Sequence, residues 1–271
     1  DLIIRAFCEP ALDNIITIDP TYGMYQVAAA INNVSVKKVP LTPDFDLQVD
    51  EILAQADQNS RVIILCSPNN PTSNTFKHED MERIIREFDG IVVIDEAYID
   101  FAPEKTILPG LSQYPNLIVL QTFSKAWGLA GIRLGMAFAS EEIIQVLNKI
   151  KYPYNVNVLT AKKALERIEK KEEKEKWVES ILQDRQNLRM ALNELDVVEK
   201  VYPSDANFIL FKVKNAQAVY KYLVEKNIVV RDRSQVTQCE NCLRVTVGTD
   251  SENMLLISAL REYSKMIHNE A

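Results

Sequence analysis

Five apolar runs rich in Val, Ile and Leu, at 14–18, 34–41, 61–66, 90–94 and 116–121, alternate with amphipathic stretches such as 22–31, 47–56 and 78–88. Near-continuous runs of this kind belong to strands buried on both faces, because helices must cover each side of the sheet. The alternation therefore predicts an α/β fold with a large, mainly parallel sheet. Such sheets carry ligands outside the carboxyl ends of their strands. The residues that follow each run are then expected to converge: Asp19-Pro20-Thr21-Tyr22, Ser67-Pro68-Asn69-Asn70-Pro71, Asp95-Glu96-Ala97-Tyr98 and Thr122-Phe123-Ser124-Lys125.

The second half reads differently. Residues 159–195 predict one long helix, charged between Glu166 and Lys176, with Glu166/Lys170 and Glu172/Lys176 as favourable i,i+4 pairs on a solvated face. Short strands follow at 197–201, 207–213, 228–230 and 243–247, with helices at 216–226 and 251–266. This predicts a smaller C-terminal α+β domain at 154–271, after a large domain at 1–153. The opening residues Asp1-Leu2-Ile3-Ile4-Arg5-Ala6-Phe7 already follow an apolar helical pattern without a signal-peptide layout, so earlier turns of that helix are expected to precede them.

Composition narrows the chemistry. A net charge of −7 over 271 residues lacks the basic face of a nucleic-acid binder, and no run of about 18 apolar residues predicts a membrane span. Only two histidines are present, His78 and His268, which argues against a histidine triad or a multi-histidine metal site. Four cysteines are too few for a disulfide scaffold; Cys8 and Cys66 read as buried thiols, and the lone Cys239/Cys242 pair lacks a second ligand pair. A reduced, cytoplasmic protein is the expectation. No glycine-rich nucleotide loop occurs.

Lys125 lies just past a buried run, among Phe123, Ala126, Trp127 and Leu129. Desolvation lowers a lysine's pKa and makes its amine nucleophilic, as a Schiff base with an aldehyde cofactor requires. Asp95 caps Ile91-Val92-Val93-Ile94, where an ionised carboxylate is costly without a cation. A pyridinium nitrogen would be such a cation; a helix cap is the plainer reading. Thr122 and Ser124 offer hydroxyls to a phosphate, and Arg133 a bidentate guanidinium or a surface ion pair. Tyr22 and Tyr98 follow strand ends, where one ring could stack on a planar cofactor and one phenol could hydrogen-bond it. Asn70 has both a donor and an acceptor to offer, or merely marks a turn. Arg231 and Arg244 sit in short apolar strands and gain interest only if an anionic substrate lies opposite.

Together these stretches resemble a fold-type I pyridoxal-phosphate aminotransferase, and within that fold the histidinol-phosphate aminotransferase family. The resemblance is carried by Ile4-Arg5-Ala6-Phe7-Cys8-Glu9-Pro10, Pro20-Thr21-Tyr22-Gly23-Met24-Tyr25, Cys66-Ser67-Pro68-Asn69-Asn70-Pro71-Thr72, Asp95-Glu96-Ala97-Tyr98, Thr122-Phe123-Ser124-Lys125-Ala126 with Gly131-Ile132-Arg133, and Leu243-Arg244-Val245-Thr246-Val247-Gly248-Thr249. It implies that Lys125 carries pyridoxal 5'-phosphate covalently and shuttles the substrate proton. It further implies that Asp95 pairs with the ring nitrogen, Tyr98 and Asn70 with the ring oxygen, and that Tyr22 stacks on the ring. Thr122, Ser124 and Arg133 would hold the cofactor phosphate. Arg244 would take the carboxylate of glutamate, and Arg231 the substrate's phosphate or glutamate's distal carboxylate. The implied reaction moves an amino group between L-histidinol phosphate and 2-oxoglutarate in histidine biosynthesis, in a homodimer. A threonine-phosphate decarboxylase and an aromatic aminotransferase share the same residues, and an aminotransferase-like sensor domain of a transcription regulator is the alternative from another class. The resemblance also places a glycine-containing phosphate loop and an N-terminal arm ahead of Asp1. Two positions depart from the family: Ala11 ends a Glu9-Pro10-Ala11 turn where it has glycine, and Ser73 stands where it has another, so the turn at Ser73 is expected to need a different backbone geometry.

Overall fold

The apolar runs form strands of one sheet. The computed structural model describes residues 1–269, with side chains through residue 267, so the reading of His268 lies outside the described residues. In chain order the first half comprises α1 (Leu2–Phe7), β1 (Asn14–Asp19), α2 (Met24–Ile31), β2 (Ser35–Pro40), α3 (Val49–Ala54), β3 (Ser60–Cys66), α4 (His78–Glu87), β4 (Ile91–Asp95), β5 (Leu117–Thr122), β6 (Gly135–Phe138) and α5 (Glu141–Ile150). The strands make a six-stranded sheet in the order β2-β1-β3-β4-β5-β6. Neighbours are parallel except β5 and β6.

Strand alternation divides the core into two layers. Ile16, Ile63, Leu65, Val92, Ile94 and Val119 face α3 and α4, packing on Ile52, Met81 and Ile84. Ile15, Val62, Ile64, Val93 and Ile118 face the opposite side, against Ile4 of α1, Ala29 of α2 and Ile143 of α5. Burying each such aliphatic side chain contributes about 1.5–3 kcal/mol, so these two layers fix the strand register and with it the strand ends.

The second half contains α6 (Val158–Ile168), α7 (Lys171–Asn193), β7 (Val198–Val201), β8 (Phe208–Val213), α8 (Ala216–Glu225), β9 (Arg231–Asp232), β10 (Cys242–Thr246) and α9 (Asp250–Asn269). Its antiparallel sheet runs β7-β8-β10-β9 and packs Ile209, Phe211, Leu243 and Val245 against α7, α8 and α9.

Three elements differ from the sequence reading. The long helix is two helices that break at Glu169 and Lys170. Glu166 and Lys170 therefore do not share one helix, and neither they nor Glu172 and Lys176 pair; the ion pairs formed in this stretch among the described residues include Arg167–Glu173 at 3.1 Å, Lys163–Glu166 at 3.2 Å, Lys171–Glu175 at 3.4 Å and Lys170–Glu173 at 3.6 Å. The strand expected at 228–230 begins at Arg231 instead, because Asn227 leaves α8 in a left-handed conformation and pairing starts only opposite Arg244. Strand β6, too short and too glycine- and alanine-rich to read as a strand, closes the large sheet antiparallel to β5.

The halves meet along loop 202–206 and the turn after β9. Asp205 accepts hydrogen bonds from Lys105 Nζ (2.8 Å), Thr75 N (3.0 Å) and Thr75 Oγ1 (2.6 Å). Thr237 Oγ1 donates to Asp19 at 2.7 Å, and Gln238 Nε2 to the Leu41 carbonyl at 2.8 Å. Cys239 and Cys242 are free, fully buried thiols packed in this seam with the core of the large sheet. Among the described residues, no helix is long and apolar enough to cross a membrane.

Candidate active site

The expected convergence occurs. Thr21 and Tyr22 after β1, Asn70 after β3, Asp95, Ala97 and Tyr98 at the end of β4, Thr122 at the end of β5 and Ser124 and Lys125 just after it line one cavity of about 830 Å³. Arg133 closes one side, and Arg231, Arg233 and Arg244 reach it from the small sheet. Another concavity, of about 880 Å³, runs along α7 past Asp100 and Lys174. Lys174 pairs there with Asp100 at 3.0 Å, and the concavity gathers none of the strand-end residues.

Asp95 lies at the end of β4 with its carboxylate turned to the cavity. Burial pushes its carboxyl above the usual range, and two donors work against that shift. Tyr25 Oη donates to Oδ2 at 2.6 Å, and the Ala97 amide donates to Oδ1 at 3.1 Å. No cation lies within ion-pair distance of it among the described residues. Tyr25 was not singled out from the sequence, since it reads as an apolar-face residue of α2. Its i,i+3 spacing from Tyr22, on the first turn of a helix that starts at the sheet's carboxyl edge, is the signal that was available.

Lys125 is more exposed than its apolar neighbours suggest, because its side chain opens into the cavity. Its Nζ stands 4.9 Å from the centre of the Tyr98 ring. Desolvation, followed by Arg244, lowers its pKa from the ordinary lysine value, while Asp95 opposes the shift. Tyr98 is buried edge-to-face against Phe208, and burial raises its phenol to about 12, so it remains a hydrogen-bond donor at neutral pH. Beside it Glu96 points away from the cavity, buried, accepting from Thr106 Oγ1 (2.7 Å), the Ile107 amide (2.8 Å) and Gln121 Nε2 (2.9 Å). These bonds fix the backbone that carries Asp95 and Tyr98.

Thr122 Oγ1 accepts from the Ser124 amide at 3.0 Å and donates to Ser124 Oγ at 2.9 Å, so the two hydroxyls form one cluster. Arg133 adopts a left-handed backbone and donates through Nη1 to the Ala130 carbonyl at 2.9 Å, with its side chain at the cavity edge. Tyr22 is 44% exposed and packs edge-on to Tyr25, leaving a ring face open to the cavity. Arg244 rests on the Phe208 ring, 4.7 Å from its centre, and donates through Nη1 to Asn70 Oδ1 at 2.5 Å. Asn70 and Arg244, read from the sequence as separate contacts, are therefore joined across the two sheets. Arg231 is exposed at the cavity rim, directly opposite Arg244 in the β9–β10 register. Arg233 was missed; its two-residue spacing from Arg231 would have placed it on the same strand face.

The donors present fit pyridoxal phosphate. Asp95 offers a buried carboxylate in need of a cation, Lys125 an amine of lowered basicity, and Thr122, Ser124 and Arg133 a set suited to a phosphate.

Comparison with known proteins agrees with this geometry. Residues 1–260 match the model of the aminotransferase class I and II family. A histidinol-phosphate aminotransferase of Bacteroides fragilis is 55% identical over 263 residues, covering 97% of this chain and 76% of the relative. Solved structures share the fold. The histidinol-phosphate aminotransferase from Clostridium acetobutylicum superposes with a TM-score of 0.90 at 23% identity, covering 98% of this chain and 80% of the other. The corresponding protein from Sinorhizobium meliloti, solved in complex with pyridoxal-5'-phosphate, gives 0.88 at 22% identity, covering 98% and 74%. The chain thus belongs to the class I and II aminotransferases, and among them to the histidinol-phosphate aminotransferase family.

Proposed function

We propose that this protein is a pyridoxal-phosphate-dependent transaminase that moves an amino group from L-histidinol phosphate to 2-oxoglutarate, giving imidazole acetol phosphate and L-glutamate. The observation that carries the reading is a single cavity in which Lys125 and Asp95 stand below a set of small-sheet arginines. When bound, the cofactor supplies an electron sink that acidifies the proton on the substrate's α-carbon.

The chain's residues do the rest. Lys125 would hold the cofactor, and its Nζ is the amine in the cavity that would take the substrate's α-proton and hand it back; its lowered basicity leaves more free amine for that task. Asp95, held in place by the Tyr25 hydroxyl, would be the carboxylate that pairs with the cofactor's ring nitrogen and favours its protonated form. Tyr98 and Asn70 would hydrogen-bond the ring oxygen, Tyr22 would cover the ring face, and Thr122, Ser124 and Arg133 would bind the phosphate; all of them line the cavity. Arg244 takes a substrate carboxylate, and Arg231 the phosphate of one substrate or the distal carboxylate of the other; one guanidinium serves both anions in turn. Two histidines in the whole chain therefore cost the reaction nothing.

The same reading divides the chain into a cofactor-binding domain at 1–153 and a small domain at 154–271, and places the protein in the cytoplasm as a homodimer. Exposed apolar side chains at Tyr154 (93%), Val158 (82%) and Leu159 (80%) support a subunit contact. Sedimentation of the cofactor-loaded full-length protein at twice its subunit mass is the expected result, and a stable loaded monomer the contrary one. The activity is tested by incubating full-length protein with 2-oxoglutarate and either histidinol phosphate, phenylalanine or threonine phosphate. Glutamate should form fastest with histidinol phosphate. Carbon dioxide from threonine phosphate without glutamate would identify a decarboxylase instead.

A further inference from the structure

A third arginine, Arg233, enters the cavity beside the two already discussed. It follows β9 and continues its ladder, donating its amide to the Cys242 carbonyl at 2.9 Å. Two residues from Arg231 on an extended strand, it shares that residue's face, and Arg231 lies directly opposite Arg244 on β10. Three guanidinium groups are thus gathered on one face of two short strands. Like charges placed opposite each other destabilise a sheet unless something neutralises them.

Nothing among the described residues does. None of the three arginines forms an ion pair with a carboxylate. Asp232, between Arg231 and Arg233, accepts from the Ser234 amide at 2.8 Å, and Asp19 is held by Thr237. The Nε atoms of Arg233 and Arg244 are buried without a hydrogen-bond partner. Burial lowers the Arg244 pKa, and the nearby Arg233 and Arg231 charges lower it further. The segment is also anchored, since Thr237 and Gln238 tie it to the large sheet at Asp19 and Leu41.

We propose that Arg233 is a specificity-determining residue that completes a three-guanidinium site for a dianionic phosphate ester on the amino donor. The proposal rests on the transaminase reading of the same cavity. Its logic is charge matching. A phosphate monoester carries close to two negative charges at neutral pH and three acceptor oxygens, enough for three guanidinium groups. Glutamate's two carboxylates are met by Arg244 and Arg231, which leaves Arg233 without a partner. Arg233 therefore favours the phosphorylated donor over the dicarboxylate.

The test uses the full-length, cofactor-loaded enzyme and its Arg233→Gln and Arg233→Lys variants. In Arg233→Gln the ratio of kcat/KM for histidinol phosphate to that for glutamate should fall by about tenfold or more, the range of one charge-assisted hydrogen bond. Arg233→Lys should recover part of it. In the wild type, KM for histidinol phosphate should drop as pH rises through the second phosphate ionisation near about 6, and this slope should flatten in Arg233→Gln. Propyl phosphate, which has no amine, should inhibit the wild type competitively and Arg233→Gln more weakly. An unchanged ratio, or equal losses with both donors and an unaltered pH slope, would overturn the proposal. If the wild type does not transaminate histidinol phosphate at all, it is the transaminase reading that fails. Should Arg233→Gln not fold, the lysine variant and wild-type inhibition by propyl phosphate decide: no inhibition, or a lysine variant with the wild-type ratio and inhibition, overturns the assignment.

Discussion

Asp95 occupies the position with the greatest electrostatic demand in the cavity. Burial favours its neutral form, yet opposing a ring cation requires the charged one. The Tyr25 hydroxyl, at 2.6 Å, works most strongly toward ionisation, with the Ala97 amide and Lys125 adding to it. Tyr25→Phe removes that donor and keeps the ring. It should therefore weaken cofactor binding by about tenfold, the usual worth of a hydrogen bond to a charged group, in a spectroscopic titration of the apoprotein. An unchanged affinity would mean that the Ala97 amide suffices. Lys125 and Asp95 were legible in the sequence because each ends an apolar run, where a charge needs a reason. Tyr25 and Arg233 were not, because their roles depend on which face of a helix or strand meets a neighbour that is distant in sequence.

At the scale of elements, two turns depart from the usual economy of glycine. Ala11 and Ser73 both hold left-handed backbones, φ 63° and 67°, so the glycine geometry is kept although the glycine is not. The different backbone expected at Ser73 is thus not adopted; the packed elements on either side, β3 and α4, dictate that turn, as α1 and β1 do the one at Ala11. What differs is compensation. Ser73 Oγ shares its one proton between the Thr72 carbonyl at 2.6 Å and the Pro203 carbonyl at 3.1 Å, tying the turn to the loop before β8. Ala11 has no side-chain group with which to offset the strain. Ala11→Gly should accordingly stabilise the protein by about 1 kcal/mol in denaturant unfolding, because an L-residue pays roughly 1–2 kcal/mol in this region and glycine returns part of the gain as chain entropy. Ser73→Gly should be neutral or destabilising, since the relief is offset by the lost bonds. The sheet order followed from the sequence because parallel strands buried on both faces advertise themselves. Strand β6 and the break between α6 and α7 did not, being set by an edge pairing and by packing rather than by local composition.

The whole molecule works only if the small sheet holds its arginines over the strand ends of the large one. Asp205 is the most heavily bonded link across that seam, and its bonds to Lys105 and Thr75 hold its carboxyl below the usual range against the effect of burial. A carboxyl whose pKa is depressed on folding stabilises the protein above its unfolded value, near about 3.9, and loses that contribution as pH falls through the lower folded value. Asp205→Asn should therefore cost about 1–3 kcal/mol at pH 7, and the gap to wild type should shrink as unfolding is measured toward pH 3. A gap that stays constant with pH would remove Asp205 from the acid response.

The central claim is that Lys125 is the one amine of this chain that carries the cofactor. Full-length protein loaded with pyridoxal phosphate, reduced with borohydride, digested and mapped by mass spectrometry tests it most directly. A pyridoxyl mass is expected on the peptide containing Thr122-Phe123-Ser124-Lys125, with no labelled peptide in Lys125→Ala. A label on another lysine, or none on the intact polypeptide, would contradict it.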